Sequence, residues 1–232
     1  MGLSQQAPHF ANAPHFAIAI DGPAASGKST IAKQLARRLG LVMVNSGAMY
    51  RAVTWKVLEL GINPDDHTAV VQALQAMNIE CGTAGNFSTI AIDGRLLDEE
   101  LRGTEVNLAV SRVAAVPEVR SLLVQLQRDY LQHTSLVMEG RDICSVVFPD
   151  TPFKIYVDAS EEVRAARRSA EGVTDSVAAR DKADSNRTTA PLIVADGAIV
   201  LDNSDHTVAS AVEAALDILR SQGLSHEDSG DA

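Results

Sequence analysis

Residues 17–39 read AIAIDGPAASGKSTIAKQLARRL, and this stretch decides the fold. Up to Asp21 it is a short apolar run with β-branched residues, which predicts a buried strand. Gly22, Pro23, Ala24, Ala25, Ser26, Gly27, Lys28 and Ser29 then match the phosphate-binding pattern G-x-x-x-x-G-K-[ST] at every fixed position, and Thr30 follows. Ile31, Leu35 and Leu39 recur at helical spacing before Gly40, a natural stop. Glycine at 22 and 27 lets the backbone bend where a side chain would clash, so that successive N–H groups converge on a polyphosphate. The positive end of the following helix points at the same anion. Lys28 supplies a point charge for β- and γ-phosphates, and Ser29 an oxygen for magnesium. A chance glycine-rich turn would require neither the strand before it nor the helix after it.

The chain has 232 residues, 46% of them hydrophobic and 22% charged, which suits one compact α/β domain with room for an inserted subdomain. A formal net charge of −10 argues against binding a nucleic acid polymer. The two cysteines, Cys81 and Cys144, have no paired spacing, so free thiols in a reducing cytoplasm are expected. No apolar run is long enough for a membrane span, and the first residues do not read as a secretion signal. Residues 1–14 read as a mobile tail; its His9, and His15 just beyond, are solvated tail histidines or, alternatively, metal ligands. Residues 223–232 read as a polar, acidic, disordered end. No exposed apolar face demands a dimer, so a monomer is expected.

Core strands are predicted at about 16–21, 42–45, 136–139, 153–157 and 198–202, separated by helices. That rhythm predicts a five-stranded parallel sheet with helices on both faces. A helix over about Ala48–Leu60 has Ser46 as a reasonable N-cap. Residues 62–103 break the rhythm: a short helix over Asp65–Met77, then strands at Ile79–Cys81 and Thr89–Asp93 in a small antiparallel insertion. Helices over Glu105–Val116 and Glu118–Leu131, split at Pro117, carry Ser111 and Arg120. An acidic residue closes the next strand in Glu139-Gly140-Arg141-Asp142, where a carboxylate can serve near magnesium. Arg164, Arg167 and Arg168 share one face of a helix over 160–169, either around an anion or as a solvated basic face. Arg180, Asp184 and Arg187 fall on or beside a short helix over 178–186. Arg51 is read as facing a ligand or, alternatively, as a solvated helix arginine.

Several stretches together resemble the bacterial cytidylate kinases: IDGPAASGKST, NSGAMYRA, LAVSRVAAVPEVR, EGRDICSVVFPD, KIYVDASEEVRAARR and RDKADSNRTTAPL, spanning about residues 16–222. The resemblance implies a P-loop nucleoside monophosphate kinase fold over 15–222, with 62–103 as a CMP-side insertion and 164–187 as a mobile lid. It implies Mg2+-dependent, in-line transfer of a phosphoryl group from ATP to CMP or dCMP. Residues 22–30 would bind ATP, with Ser29 on the metal. Ser46, Arg51, Ser111, Arg120, Gly140, Arg141, Asp142, Arg180, Asp184 and Arg187 would surround the monophosphate. Of these, Ser111, Arg120 and Asp142 would read cytosine, Arg51, Arg141 and Arg187 would hold its phosphate, and Arg180 and Asp184 would face the ribose. Lys28, Arg164, Arg168, Arg180 and Arg187 would be catalytic, converging on the transferring group as the lid closes. Cys144 and Ser145 stand where the family usually has Gly-Thr.

The chemistry fits this assignment. Cytosine presents a 4-amino donor beside N3 and O2 acceptors, so a carboxylate accepts from the amine while an arginine or hydroxyl donates to the ring. Uracil would turn a carbonyl toward the same carboxylate, at a cost of ~1–3 kcal/mol or more. Asp142 is therefore the base reader, or else a structural carboxylate paired with Arg141. Cys144, two residues on, is either open to thiol reagents beside the site or buried and inert. A small-metabolite kinase on the same core is opposed by the insertion and by EGRD. A GTPase-type switch should show N-K-x-D and D-x-x-G after a strand, and neither is found. A regulator without catalysis would need to have lost Lys28 or the arginines, and all are present.

Overall fold

The computed structural model describes residues 15–170 and 192–225. The elements in chain order are β1 (Ala17–Asp21), α1 (Lys28–Arg38), β2 (Val42–Asn45), α2 (Ser46–Glu59), α3 (His67–Ala76), β3 (Ile79–Ala84), β4 (Phe87–Ile92) and β5 (Arg95–Leu97). They continue with α4 (Thr104–Val113), α5 (Pro117–Asp129), β6 (Leu136–Gly140), β7 (Lys154–Asp158), α6 (Glu161–Ala170), β8 (Ile199–Asp202) and α7 (Val208–Ser221). A π-helical turn over Ile143–Val147 follows β6.

Five strands run parallel in the order β2-β6-β1-β7-β8, which is the expected core. The sheet is nevertheless larger than five strands. β4 runs parallel beside β2 through the single register pair Met43–Phe87, and β3 and β5 flank β4 antiparallel. The insertion is thus a three-stranded extension of one eight-stranded sheet. Its first two strands are longer than expected and turn at Gly85-Asn86.

Alternation along the strands sorts the core into layers. On one face Ile18, Ile20, Val137, Ile155 and Val157 pack against Ile31 and Leu35 of α1 and Val212, Leu216 and Leu219 of α7. On the other, Ala17, Ala19, Leu136 and Met138 pack on Ile143, Val147 and Phe148. A third cluster joins α2, α3, α4 and α5 to Ile90, Ile92 and Leu97 of the extension. Helix starts follow side-chain chemistry. Asn45 accepts from the Ala48 N–H, Asp66 from Ala69 and Thr207 from Ser210, so Asn45 and not Ser46 caps α2. Pro117 occupies the first turn of α5, where its missing N–H costs nothing. The helix expected over 178–186 lies outside the described residues, as does the expected N-terminal tail.

The layers make different demands on leucines. Leu35 is fully buried between sheet and helix, whereas Leu96 is 64% exposed. Urea unfolding should show Leu35→Ala losing ~2–5 kcal/mol and Leu96→Ala changing stability by no more than ~0.5 kcal/mol.

Candidate active site

The five core strands β2, β6, β1, β7 and β8 end at one edge of the sheet, and segments that leave them, with α4 and α5, line a cleft of about 640 Å³. The phosphate loop leaves β1. Gly27 adopts φ 93°, and a Cβ there would come within 2.4 Å of Asn203 Nδ2; a Cβ on Gly22 would lie 2.0 Å from the Val157 carbonyl oxygen. Only glycine fits either place. α1 starts with no side-chain cap, as α4 and α5 do, but unlike those two it has no acidic residue in its first turn either. Its first N–H groups are thereby available to an external anion. Ala24, Ala25, Gly27, Lys28, Ser29 and Thr30 line the cleft. Ser26 is fully buried, and Pro23 offers its carbonyl to Lys28 Nζ at 3.0 Å.

Loop carbonyls are held from behind. Arg167 donates from Nη1 to Ala25 (3.3 Å) and Ser26 (3.0 Å), and Asn203, just past β8, donates from Nδ2 to Ser26 (2.8 Å). Arg164 donates to the carbonyls of Ala159 (2.9 Å) and Ala24 (3.4 Å). It is buried beside the loop, whereas Arg168 lines the cleft. The arginine face of α6 is therefore not a solvated basic face: Arg164 and Arg168 are buried, and loop and neighbouring carbonyls accept from Arg164 and Arg167.

β6 ends between the two halves of the cleft. Ser29 Oγ donates to Glu139 Oε1 at 3.0 Å, and Lys28 Nζ lies 4.0 Å from Glu139 Oε2. Ser29 and Glu139 thus bring together hard oxygens of the kind that would suit a divalent cation. Among the described residues no cluster of three or more His, Cys, Asp or Glu is placed to hold a metal by itself.

Beyond Glu139, the residues expected around the monophosphate line the same cleft: Ser46, Arg51, Ser111, Arg120, Gly140, Arg141 and Asp142. Ser46 donates to the Glu139 carbonyl at 2.8 Å, so close to Gly140 that a Cβ there would lie 2.5 Å from Ser46 Oγ. Arg51 is half-buried, donating to Leu101 O (3.0 Å) and Asn107 Oδ1 (2.6 Å), which excludes a solvated helix arginine. Asp142 is not paired with Arg141 alone. Its Oδ2 accepts from Arg120 Nη2, both side chains being buried, and the Arg120 guanidinium lies 5.6 Å from the centre of the Tyr50 ring. Arg141 donates to the Gly140 carbonyl. Arg180, Asp184 and Arg187 lie outside the described residues, as does most of the expected lid.

The sequence pattern misses Tyr50, Asn203 and His206 as cleft residues, groups Arg167 with Arg164 and Arg168 without singling it out, and offers a magnesium-side carboxylate at the strand end, where Glu139 lines the cleft. The rule that ligands sit at strand C-termini would have found Asn203. Nothing in the sequence marks Arg167 apart from its neighbours.

Asp21, the last residue of β1, is completely buried; its Oδ1 accepts from Ile143 N (2.9 Å) and its Oδ2 from Cys144 N (2.8 Å). Burial pushes its carboxyl up to about 6; the two N–H bonds oppose the rise and the nearby Asp142 charge adds to it. Cys144 is 1% exposed, its thiol directed at the Ala19 carbonyl, and burial with the Asp21 charge holds that thiol far above the ordinary range. Of the two readings of Cys144, the open, reactive thiol is the wrong one.

A parallel α/β sheet with a phosphate loop and a second, cation-rich half-site across the cleft defines a P-loop nucleoside monophosphate kinase architecture. The cytidylate kinase family model matches residues 18–221. Curated cytidylate kinases are similar over nearly the whole chain: that of Mycolicibacterium paratuberculosis is 43% identical over 215 residues, covering 88% of this chain and 94% of the relative. That of Streptomyces avermitilis is 40% identical, covering 89% and 93%, and that of Clostridium botulinum strain Langeland 39% identical, covering 89% and 98%. The chain belongs to the cytidylate kinase family.

Burial of the thiol has a direct consequence. Iodoacetamide at neutral pH should leave Cys144 unmodified and activity intact in the native protein, while both cysteines alkylate in guanidinium, as mass spectrometry of tryptic peptides will read. Modification of native Cys144 that CMP prevents would mean that the turn after Asp142 opens to solvent.

Proposed function

We propose that this cleft is where the enzyme transfers the γ-phosphoryl group of ATP to CMP or dCMP, with ATP on the loop at 22–30 and the monophosphate between α2, α4, α5 and the end of β6. The observation that carries the reading is the opposition of two built half-sites. The uncapped start of α1 lies on one side and the buried Arg120–Asp142 pair on the other, with Glu139 and Gly140 between them.

Lys28 and the N–H groups of the loop hold the ATP phosphates. Ser29 and Glu139 would hold Mg2+, which when bound neutralises charge on the β- and γ-phosphates. Arg51 and Arg141 take the CMP phosphate and so hold its attacking oxygen in line. No protein nucleophile is needed, because phosphoryl transfer requires positioning and charge compensation rather than a covalent intermediate. Arg168 reaches the transferring group from α6, while Arg164 acts through the loop carbonyl that it holds. Arg180, Asp184 and Arg187 are retained as lid contacts to phosphate and ribose on the family resemblance alone. Asp142 accepts from the cytosine 4-amino group; a carboxylate has about four lone-pair sites, so pairing with Arg120 does not exhaust it. Ser111 and Arg120 donate to the ring. We assign 15–222 as the catalytic unit and 62–103 as its CMP-side insertion. A monomer working in the cytoplasm, where unpaired cysteines persist, completes the reading.

ADP release measured across CMP, dCMP, UMP, AMP and GMP tests the assignment; AMP or GMP turned over as fast as CMP would overturn it. Lys28→Ala should lower turnover at least ~100-fold with CMP affinity little changed. Turnover within about threefold of wild type would remove the loop from catalysis.

The buried pair sharpens the test of base choice. Asp142→Ala leaves Arg120 without its carboxylate, at ~3–5 kcal/mol of stability, so the assay belongs at a temperature where circular dichroism shows the variant folded. The Michaelis constant should rise sharply for CMP and less for UMP, narrowing discrimination about 10- to 150-fold, the worth of a charged hydrogen bond. Equal losses for both nucleotides would make Asp142 only the holder of Arg120.

A further inference from the structure

We propose that Asp21 is a positioning residue for cytosine recognition: its carboxylate, accepting the consecutive N–H groups of Ile143 and Cys144, sets the turn that carries Asp142 against Arg120. The inference rests on the reading of Asp142 as the base reader and adds what holds that reader in place.

The geometry is specific. Asp21 is fully buried at the end of β1, in register with Gly140 at the end of β6. The chain leaves β6 through Arg141 and Asp142 and enters the π-helical turn, in which Val146 N and Val147 N both donate to the Asp142 carbonyl. Like any helical start, the turn leaves its first N–H groups without a carbonyl partner of its own. The first two are the N–H groups of Ile143 and Cys144, and each is taken by a different oxygen of Asp21, at 2.9 and 2.8 Å. The Cys144 thiol, directed at the Ala19 carbonyl, ties the turn to β1 a second time.

Burying a carboxylate in an apolar layer next to another carboxylate is costly, so the position needs a reason. An apolar residue would be easier to bury but would orphan two N–H groups. Asparagine has the same shape but turns an N–H2 donor toward one of them. Carboxylate is the one common side chain of this length that accepts twice. Its effect reaches the site through one residue: the backbone atoms it fixes follow directly on Asp142, whose side chain must meet both Arg120 and a base amine. Because Asp21 also leads straight into Gly22, one side chain registers the base-reading turn to the strand that carries the phosphate loop.

The test is Asp21→Asn in the full-length enzyme. We expect the Michaelis constant for CMP to rise about tenfold or more, with those for UMP and ATP within about threefold of wild type, as for a lost hydrogen bond to a charged acceptor. A merely structural role would lower the melting temperature and move CMP and UMP together; equal factors for the two, or no change in either, overturn the proposal. If Asp21→Asn does not fold, amide exchange on the wild type decides. By reciprocity, a turn that favours cytosine is favoured by it, so CMP should slow exchange at Ile143 and Cys144 more than UMP does at equal saturation. Equal slowing overturns the proposal. Asp142→Ala, run alongside, separates the two levels. Discrimination narrowed there but intact in Asp21→Asn overturns the positioning role alone. Discrimination intact in Asp142→Ala removes the base reader, and the proposal falls with it.

Discussion

A loop that turns its N–H groups toward an anion turns its carbonyls the other way, and those carbonyls need donors. Much of the architecture around residues 22–29 answers that constraint. Lys28 takes Pro23, Arg164 takes Ala24, Arg167 takes Ala25 and Ser26, and Asn203 takes Ser26 again. Three of these donors come from beyond β7, on α6 and at the end of β8. The phosphate loop is local in sequence, but its shape is imposed by side chains more than 130 residues away. A basic face on α6 is stable for the same reason, since backbone dipoles of the loop compensate guanidinium charge that would otherwise be repulsive.

The opposite side of the cleft is held by a different logic. There the polar groups are paired with one another: buried Arg120 with buried Asp142, and half-buried Arg51 with Asn107 and the Leu101 carbonyl. The insertion contributes by extending the sheet past β2 and by giving α2, α4 and α5 an apolar floor of Ile90, Ile92 and Leu97. Without that floor α4 and α5, which carry Ser111 and Arg120, would have less to pack against. On the reading proposed above, the extension of the sheet therefore supports the half-site for the monophosphate.

The phosphate loop was legible in the sequence because its constraints are local: glycine where a Cβ would strike Val157, lysine and serine at fixed offsets, a strand before and a helix after. The five parallel strands were legible from apolar runs spaced by helices. The eight-stranded sheet was not, because β4 joins β2 through one register pair, and one pair leaves no periodic trace. Asn45 rather than Ser46 caps α2 because the helix starts two residues before Ala48, the start that its apolar spacing suggests, leaving Ser46 inside it to bond the Glu139 carbonyl. Cys144 gave no sign of its burial, which depends on the turn folding back over β1. Asp142 could be placed at the ligand edge, but the sequence offered Arg141, one residue away, as its structural partner and gave no sign of Arg120, twenty-two residues back.

That choice of partner has a physical logic. α5 brings Arg120 across the turn to Asp142, while Arg141, which lines the same cleft, donates to the Gly140 carbonyl. A buried ion pair is a weak source of stability, since apolar residues of similar volume often serve as well or better. What such a pair offers is two fixed, opposite charges at a known separation in a low dielectric. On the reading proposed above, that is what cytosine requires: an acceptor for its amine and a donor for its ring, on the same edge. On that reading the pair is a template of the base, with an acceptor and a donor side by side. Its precision depends on the backbone beneath Asp142, and that backbone is fixed by hydrogen bonds to Asp21, a residue that touches no substrate in this scheme.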